Sequence, residues 1–416
     1  MANILSSLRK ANRVPLRLGG QKGMLILFDH PVMKDLRARI QVSQAQHLYR
    51  QPRISDSPQQ PVMTIDGKTI LNFCSNDYLG LANHPQVIHA FQQAANQYGV
   101  GSGAAHLING HSRLHQQLEE ALASFTGRER ALLFSTGYMA NLAVANALMD
   151  KDDIIFQDRL NHASLIDGAL MSNAKLMRYA HNDSEHLRQR MQSNSSPDAM
   201  IMTDGVFSMD GDVAPLATLA QIAQQHQAWL MVDDAHGLGV LGKTGGGLVE
   251  ALQLTPTDVP ILMGTLGKAF GTAGAFVAGS HDLIEYLIQV ARPFIYTTAQ
   301  PPAIAGATLA SLELVQSEHW RREHLQQLIH YFRQGATQLG LQLMDSNTPI
   351  QPIVVGESAK ALQISRRLQA LGLLVVAIRP PTVPNNTARL RVTFSAAHTR
   401  EQVDQLLSGL SLACGE

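Results

Sequence analysis

Short apolar runs alternate with helix-like stretches through the middle of the chain, from about residue 130 to 280. Runs of this length, separated by turn residues and helical stretches, are typical of strands buried in a sheet. They are Ala131–Phe134, Asp153–Phe156, Met200–Thr203, Trp229–Val232, Ile261–Gly264 and Ala275–Ala278. This alternation predicts βαβ units around a mostly parallel sheet, an α/β fold that binds ligands at the carboxyl ends of its strands.

The length of the chain predicts more than one domain. With 416 residues, of which 45% are hydrophobic, the chain can bury a large core and is long for one unit. We expect an N-terminal segment over residues 34–75, a large domain over 76–310 and a smaller α+β domain over 311–416. The elements expected in the smaller domain are strands at Ile350–Val355, Leu373–Ile378 and Leu390–Phe394, and a helix from about Glu401 to Leu412.

Residues 1–33 differ from the rest in composition. They contain five basic residues and a single acidic one, Asp29, without the continuous apolar segment and small-residue cleavage site of a secretory signal. A basic transit-like leader and a start codon placed too early are the two interpretations. The second agrees better with the ordinary helical pattern that begins at Met33, so we expect removal of residues 1–32 to leave the protein active.

Charge and hydropathy exclude several classes of partner. The formal net charge is zero and no basic run is present, which argues against nucleic acid. No stretch of about 18 or more apolar residues predicts a membrane span. Cys74 and Cys414 lie far apart in the sequence and in no redox or zinc spacing, which suits a reducing compartment. We therefore expect a cytoplasmic protein that binds neither nucleic acid nor membrane.

Three segments place reactive residues at the ends of predicted strands. Lys268 stands among small residues directly after the apolar run Pro260–Met263. A second apolar strand ends in Asp233-Asp234-Ala235-His236. A third breaks at Ser135-Thr136-Gly137-Tyr138 and leads into an alanine-rich helix. Together the three segments offer an amine, an acid and a helix N-terminus that can bind an anion.

These three groups suit a cofactor that has an aldehyde, a basic ring nitrogen and a phosphate. Pyridoxal 5′-phosphate has all three, and a lysine Schiff base with a carboxylate on the pyridinium nitrogen is its usual arrangement. Asp233 would keep that nitrogen protonated, because an opposite charge at hydrogen-bond distance raises its pKa. The N–H groups of Gly137 and Tyr138, with the hydroxyl of Thr265, would bind the phosphate.

Other motif interpretations fail on spacing. A nucleotide-binding phosphate loop needs a glycine six residues before its lysine and Ser or Thr after it, and Lys268 has neither. A serine-hydrolase elbow needs glycines two residues on either side of the serine, which Ser208 lacks. No CxxC pair or HExxH helix is present, and although Asp233, His236 and His162 could cluster, we expect no metal site.

Seven segments in order, between about residues 40 and 412, resemble the α-oxoamine synthases, which are pyridoxal-phosphate enzymes of fold type I. They are Asn72–Gly80, Gly101–Gly103, Asn161–Leu165, Gly205–Asp212, Asp233–Gly237, Thr265–Lys268 and Ala388–Thr393. The resemblance implies a transferase with a large, mostly parallel domain and a smaller α+β domain. It also implies C-acyltransferase activity and a homodimer with its active sites at the subunit interface.

One segment bears on the substrate. Ile378–Pro384 looks like the biotin-pathway members of the family, which join L-alanine to a pimeloyl thioester carried on coenzyme A or on acyl carrier protein. Glycine C-acetyltransferase or another family member, using glycine and a shorter acyl group, is the alternative. From a different class, the chain could be a partner subunit without cofactor or activity, although the presence of Lys268, Asp233, His236 and His162 together argues against this.

The resemblance implies catalytic roles for four residues. Lys268 would hold the cofactor and then act as the base at the α-carbon of the substrate. Asp233 would pair with the pyridinium nitrogen, and His236 would hydrogen-bond the phenolic oxygen of the ring. His162 would stack on the ring face.

Further cofactor contacts follow from the same resemblance. Gly137, Tyr138 and Thr265 would bind the phosphate, joined by Thr298 from the partner subunit. Ser208, at the next strand end, would help to position the ring. These residues complete the predicted cofactor site.

The substrate end is predicted less fully. Arg391 would bind the substrate carboxylate through its planar fork, with Arg389 as the alternative on the same strand face and Asn76 assisting. The segment Ala104–Ser112 departs from the pattern of the family and could border the acyl channel. Its two histidines, His106 and His111, are interpreted as either substrate-facing or surface residues.

Overall fold

A computed structural model of the protein describes residues 35–45, 48–194, 196–380 and 382–415. The predictions about residues 1–33 therefore lie outside the described residues. Residues up to Arg53 and residues from Ile54 onwards form two units. Helix α1 (Leu36–Ala45) belongs to the first unit, and none of its residues is buried.

The second unit contains the remaining helices and strands. The strands are β1 (Val62–Ile65), β2 (Lys68–Asn72), β3 (Arg130–Phe134), β4 (Ile154–Asp158), β5 (Lys175–Tyr179), β6 (Ala199–Asp204), β7 (Trp229–Asp233), β8 (Ile261–Thr265), β9 (Ala275–Gly279), β10 (Ile350–Gly356), β11 (Leu373–Leu374), β12 (Val376–Ile378) and β13 (Ala388–Thr393). The helices are α2 (Pro85–Tyr98), α3 (Arg113–Thr126), α4 (Gly137–Leu148), α5 (Ala163–Met171), α6 (Ser184–Gln192), α7 (Leu216–Gln225), α8 (Gly247–Ala251), α9 (His281–Val290), α10 (Arg292–Ile295), α11 (Pro302–Ser317), α12 (Trp320–Gln338), α13 (Ser358–Ala370) and α14 (Arg400–Cys414), and a short π-helix spans His106–Gly110.

A seven-stranded sheet in the order β3-β9-β8-β7-β6-β4-β5 organises this unit. Its strands are parallel except β9, which runs antiparallel to both β3 and β8. All six predicted strands form, which confirms the mostly parallel α/β sheet. Strand β5 was not predicted, because it is a partly exposed edge strand in which Lys175 and Arg178 interrupt the apolar run.

Both faces of the sheet are covered, as parallel sheets require. Along β7 the side chains alternate, so that Met231 packs in the core beside Val144 of α4 while Val232 packs in a second core beside Leu219 of α7. The same alternation sends the two acidic residues that follow to opposite sides of the sheet.

The carboxyl-terminal part of the chain forms smaller sheets. Strands β10, β13 and β12 make an antiparallel sheet, whereas β11 pairs in parallel with β2, which pairs with β1. The predicted strand Leu373–Ile378 is thus divided between two sheets, and the predicted last helix is α14. The domain limits stay predictions, and the one at residue 310 falls within α11. In the described ranges no helix combines the length and apolar content needed to cross a membrane.

Candidate active site

The carboxyl ends of three neighbouring strands bring the predicted site together. Asp204 ends β6 and Asp233 ends β7, and the two residues are paired in the sheet register. Lys268 follows β8, the next strand across. Because parallel strands end at the same edge of a sheet, these side chains converge there.

A hydrogen-bonded chain, here called the lysine network, runs from Lys268 to Arg391. The Nζ atom of Lys268 lies 2.8 Å from Nε2 of His236, whose Nδ1 lies 2.6 Å from the hydroxyl of Tyr78. That hydroxyl is 3.3 Å from Oδ1 of Asn76, which also accepts a 3.3 Å hydrogen bond from Nη2 of Arg391. The predicted lysine, histidine, asparagine and arginine are therefore linked, with Tyr78 at the centre.

Burial sets the protonation of the lysine network. It lowers the pKa of Lys268 to about 8, although the charge of Asp233 acts in the opposite direction. Burial, helped by the positive charges of Lys268 and Arg391, lowers the pKa of His236 well below its usual value. The buried Tyr78 hydroxyl has its pKa raised to about 12. His236 and Tyr78 are thus neutral near pH 7, and Lys268 is an amine that loses its proton unusually easily.

A second buried chain, here called the ring network, holds Asp233 and His162. One amide nitrogen, Nδ2 of Asn141, donates to Oδ2 of Asp233 at 2.7 Å and to Oγ of Ser164 at 2.8 Å. The Ser164 hydroxyl lies 2.7 Å from Nδ1 of His162. Because Asn141 and Ser164 are fully buried, the carboxylate and the imidazole are fixed relative to each other.

The position of His162 is also fixed through its backbone. Its N–H donates to Oδ2 of Asp204 at 2.6 Å, and its side chain caps helix α5 by accepting the N–H of Ser164. Burial, together with the charge of Asp233, raises the pKa of Asp204 well above its usual value. Burial lowers the pKa of His162, so its imidazole is held neutral.

The two adjacent acidic residues have different surroundings. Asp234 points away from the site and accepts the N–H of Leu248 in α8 at 2.6 Å. Gly237 and Gly247 lie against its carboxyl group, where any larger side chain would collide with it, and Gly247 also has a positive φ of 87°. Burial raises the pKa of Asp234 to about 8. Asp233 is therefore the carboxylate of the pair that reaches the site.

The start of helix α4 offers free main-chain donors. The side chain of Thr136 caps the helix by accepting the N–H of Met139 at 3.2 Å, and the N–H of Ala140 makes the first main-chain bond, to the Thr136 carbonyl. The N–H groups of Gly137 and Tyr138 precede that bond. A helix N-terminus of this kind attracts phosphate.

The other predicted phosphate ligands lie on separate elements. Thr265 ends β8 and donates its hydroxyl to the carbonyl of Gly274 at 3.1 Å. Thr298 is exposed and forms an antiparallel bridge with Ala105. The aromatic ring of Tyr138 is edge-on to His162. Thr298 is therefore an exposed residue among the predicted phosphate ligands, and it lies outside the strands of the sheet.

The two arginines of β13 make different contacts. Arg389 pairs with the carboxylate of Asp210. Arg391 donates from Nε to the carbonyl of Ser208 at 2.7 Å and from Nη1 to the hydroxyl of Thr393 at 3.0 Å. Arg389 is thus already neutralised by a carboxylate, whereas the partners of Arg391 are uncharged. Arg391 is the better candidate for binding a substrate carboxylate.

A cleft of about 590 Å³ opens beside His162 and Ser208. Its walls include the apolar side chains of Met209 and Val383, and Arg159 lies at its exposed part. Val383 belongs to the segment Ile378–Pro384 that the sequence associates with substrate choice. The cleft can admit an elongated substrate next to the networks.

Sequence reasoning missed three residues of these networks. Tyr78 lies inside a motif that was noticed for Asn76, and its spacing from Asn76 was the available signal. Asn141 is one of two asparagines on a helix that is mostly apolar, and Ser164 follows His162 by two residues. Their partners are distant in sequence, so their roles emerge only in the folded chain.

The site fits pyridoxal 5′-phosphate. The carboxylate of Asp233 is buried, and its hydrogen bonds come from two neutral donors, the Asn141 amide and the Ala235 N–H at 3.1 Å. Among the described residues, no lysine, arginine or histidine forms an ion pair with it. A cationic ring nitrogen would supply the missing positive charge, and the buried amine of Lys268 is suited to the aldehyde.

Fold and site together define a pyridoxal-phosphate-dependent transferase of fold type I. The chain belongs to the class I and II aminotransferase family, whose model matches residues 68–410. Together with the relatives and solved structures described next, this match confirms the predicted fold class, cofactor and enzyme class. It also confirms the resemblance to the α-oxoamine synthases.

Individual relatives and solved structures give a finer comparison than the family model does. The 8-amino-7-oxononanoate synthase of Pseudomonas fluorescens is 62% identical over 377 residues, which cover 91% of this chain and 96% of that protein. A structure of SPT with its pyridoxal-phosphate internal aldimine has a TM-score of 0.87 at 30% identity, covering 91% of this chain and 96% of that one. The 8-amino-7-oxononanoate synthase of Francisella tularensis has a TM-score of 0.73 at 36% identity, covering 82% and 97%.

Proposed function

We propose that the protein is a C-acyltransferase that condenses L-alanine with a pimeloyl thioester and releases carbon dioxide, forming 8-amino-7-oxononanoate for biotin synthesis. The observation that carries the proposal is the lysine network, which connects a reactive amine to a guanidinium suited to an amino-acid carboxylate. The 62% identity to 8-amino-7-oxononanoate synthases supports alanine and pimeloyl as the substrates.

The cofactor site is assigned to residues at the strand ends. Pyridoxal 5′-phosphate, bound through Lys268, supplies an electron sink for bond breaking at the α-carbon. Asp233 would hold its ring nitrogen protonated, His236 would bind its phenolic oxygen, and His162 would cover one face. The ring network keeps Asp233 and His162 in fixed positions, which preorganises the site before substrate arrives.

The phosphate contacts are assigned to Gly137, Tyr138 and Thr265, with Thr298 of the partner subunit. Exposure of Thr298 supports the last assignment, because an exposed hydroxyl can reach a second subunit. We therefore propose a homodimer whose active sites lie at the interface. A cytoplasmic location is proposed with it.

Substrate binding and proton transfer are assigned to the lysine network. Arg391 and Asn76 bind the alanine carboxylate, and Ser208 supports Arg391 through its carbonyl. Once the substrate amine replaces it, the Lys268 amine is free to remove the proton from the α-carbon, and its pKa of about 8 suits a base near neutral pH. His236 and Tyr78 can adjust to the change of charge by shifting their hydrogen bonds.

Apart from the proton that Lys268 removes and later returns, the condensation forms one carbon–carbon bond and breaks one carbon–sulfur and one carbon–carbon bond. The α-carbon of alanine bonds to the thioester carbonyl carbon, the carbon–sulfur bond breaks, and the thiolate leaves and takes a proton from solvent. The carboxylate then leaves as carbon dioxide, and Lys268 returns a proton to the α-carbon. The cleft beside His162 is where the acyl chain or its carrier arm would lie, which brings both substrates together at the α-carbon.

A substrate panel tests the proposal. Alanine, glycine and serine are each combined with pimeloyl-CoA, pimeloyl-acyl carrier protein and acetyl-CoA, and carbon dioxide and the amino ketone are measured. We expect product from alanine with a pimeloyl thioester and none with acetyl-CoA. One methyl group contributes only about 1–3 kcal/mol of discrimination, so glycine should be rejected less sharply than acetyl-CoA.

Two outcomes would contradict the proposal. Efficient condensation of glycine with acetyl-CoA, with none of alanine with pimeloyl, would indicate a glycine C-acetyltransferase and leave Lys268, Asp233 and His236 in their roles. A purified protein without the yellow colour of the cofactor, even after incubation with pyridoxal 5′-phosphate, would favour a non-catalytic partner subunit.

A further inference from the structure

Three imidazoles cluster around the start of helix α3. One ring nitrogen from each of His106, His111 and His115 lies within 4.8 Å of the other two, and the Nδ1 atoms of His106 and His111 are 2.9 Å apart. His106 is buried, so its interpretation as a surface residue is wrong, and His115 is buried as well. The side chain of His111 is 27% exposed, which leaves a route from solvent.

The outer nitrogens of two of these rings face acceptors. Nε2 of His115 lies 2.7 Å from the carbonyl oxygen of Gln300 and therefore carries its proton. Nε2 of His111 lies 3.8 Å from the carboxylate of Glu119. Histidines that bind metals usually donate their second N–H to a carbonyl or a carboxylate, as His115 does to Gln300. The distance between His111 and Glu119 is too long for a hydrogen bond. The Nδ1 atom of His115 faces the cluster and accepts the N–H of Ser112.

The protonation of the cluster suits metal binding. Burial lowers the pKa of all three histidines, that of His106 to about 3, so the rings are neutral at pH 7. A histidine must be neutral to bind a metal ion. The short contact between His106 and His111 requires a proton on one of the two Nδ1 atoms, and a metal ion would replace that proton.

One existing hydrogen bond, from Ser112 to His115, would have to break for the ion to bind. Nδ1 of His115 accepts the N–H of Ser112 at 3.0 Å and lies 3.1 Å from its hydroxyl, as part of the cap of α3. An ion bound to this nitrogen displaces Ser112. The half-buried hydroxyl can turn to another partner, whereas the Ser112 N–H loses its acceptor, so the ion must outweigh the loss of this part of the cap.

A second group of potential ligands is accounted for without a metal. His181 lies between Asp158 at 3.0 Å and Asp212 at 2.7 Å, and these carboxylates raise its pKa to about 10 against the effect of burial. Asp210 of the same group pairs with Arg389. A protonated histidine cannot bind a metal, so this group is a set of ion pairs.

We propose that His106, His111 and His115 together bind a divalent ion of the zinc class, for which neutral imidazoles are suitable ligands. This proposal departs from the prediction that the protein has no metal site. That prediction was based on the lack of a CxxC pair and of an HExxH helix. Bound zinc would restrain the segment that precedes the π-helix. Ala105, in that segment, pairs with Thr298. The proposal does not depend on the substrates of the enzyme.

Zinc binding to the holoenzyme tests the site. The purified protein is treated with a chelator, dialysed and titrated with zinc chloride against a chromophoric competitor, and cobalt(II) is used as a coloured probe of nitrogen ligands. We expect a single ion per chain, a higher unfolding temperature with zinc, and loss of both effects in His106→Asn and in His111→Asn.

Matched variants show where an ion binds. His330→Asn, on the exposed face of α12, and His181→Asn, in the other group, should bind zinc like the unchanged protein. Their unfolding temperatures without zinc, compared with that of His111→Asn, show whether each variant is folded. The proposal is overturned if the unchanged protein binds no zinc, if folded His106→Asn and His111→Asn bind it as tightly, or if binding disappears only in His181→Asn.

Discussion

The ring network and the lysine network differ in how the fold assembles them. The ring network joins the end of β7 to helices α4 and α5, which follow strands β3 and β4 of the same sheet. The side-chain amide of Asn141 makes this connection. The lysine network also needs Asn76 and Tyr78, which precede the sheet, and Arg391, which lies on β13 of another sheet. The cofactor end is thus local to one sheet, whereas the substrate end depends on contacts between distant parts of the chain.

This difference separates two functions within one site. Under the proposed mechanism, a rigid environment around the ring would keep the cofactor in one protonation state throughout the reaction. The lysine network would have to change, since its amine would alternate between carrying the cofactor and carrying a proton. Substitutions in the ring network should therefore change the binding or the electronic state of the cofactor, and substitutions in the lysine network should alter proton transfer, with Lys268 involved in both.

Replacement of Lys268 should have the largest effect. Lys268→Ala removes both the amine that holds the cofactor and the base, so we expect turnover to fall by at least about 10³-fold, within the range for a lost acid–base group. The far-ultraviolet circular dichroism spectrum should not change. Lys243→Ala, at an exposed lysine, is the control. Borohydride reduction and peptide mapping should label Lys268, and a label on another lysine would contradict the assignment.

The pKa of Lys268 should be visible in the rate of cofactor capture. Only the neutral amine attacks an aldehyde, and the lowered pKa moves its deprotonation down to about pH 8. For cofactor-free protein mixed with pyridoxal 5′-phosphate, we expect the rate to fall by about tenfold per pH unit below 8 and to level off above it. Absorbance during mixing measures this. A rate that continues to rise to about pH 10 would indicate an ordinary lysine.

Replacement of Asp233 and replacement of Asp234 should have unequal effects on activity. Asp233→Asn removes the charge opposite the ring nitrogen and should reduce kcat by about 10²-fold, as expected for the loss of a pKa shift of one to three units. Asp234→Asn should have little effect, because Asp234 faces α8 and burial already favours its uncharged form. Steady-state kinetics of both variants measure the difference. Equal losses would mean that the two residues have been assigned wrongly.

Asn141 should matter mainly for holding the cofactor. Asn141→Ala leaves the Asp233 carboxylate and the Ser164 hydroxyl without their shared donor, at a cost of about 1–3 kcal/mol, so cofactor affinity should fall about tenfold or more. Fluorescence titration of cofactor-free protein measures this. Asn146→Ala on the same helix, where the amide bonds only to backbone carbonyls, is the matched control. Equal affinities in the two variants would remove Asn141 from the ring network.

Tyr78→Phe should have the smallest effect and should sharpen the contrast between the networks. It removes the hydroxyl between His236 and Asn76 without changing the ring network, so we expect a loss of about 1 kcal/mol in transition-state stabilisation and unchanged cofactor affinity. The pH profile of kcat should shift, because His236 loses a partner. Tyr331→Phe, whose hydroxyl bonds to Asp404 at the surface, is the control. Weakened cofactor binding in Tyr78→Phe would show that the networks are not separable.

The contrast between the networks also explains what the sequence could reveal. Lys268, Asp233 and the start of α4 were predictable because each follows a short apolar run, and parallel strands bring their ends together. The opposite orientations of Asp233 and Asp234 followed from strand alternation.

What the sequence could not reveal depends on pairing between distant residues. Arg391 was preferred to Arg389 from the family resemblance, but the reason that the structure offers, the pairing of Arg389 with Asp210, joins residues far apart in sequence. The contact of Tyr78 with His236 likewise joins distant residues. The split of the predicted strand Leu373–Ile378 has the same cause, since β11 pairs with β2 and β12 pairs with β13. Periodicity identifies a strand but not its neighbours.

The place of Arg391 on β13 has a consequence for biosynthesis. Chains are made from the N-terminus, and early segments can fold before later ones exist. Lys268, Asp233 and Asn141 all leave the ribosome well before Arg391 does. A nascent chain can therefore bring together its own residues of the proposed cofactor site, short of the partner subunit's Thr298, before the residue proposed to bind the substrate carboxylate has been synthesised.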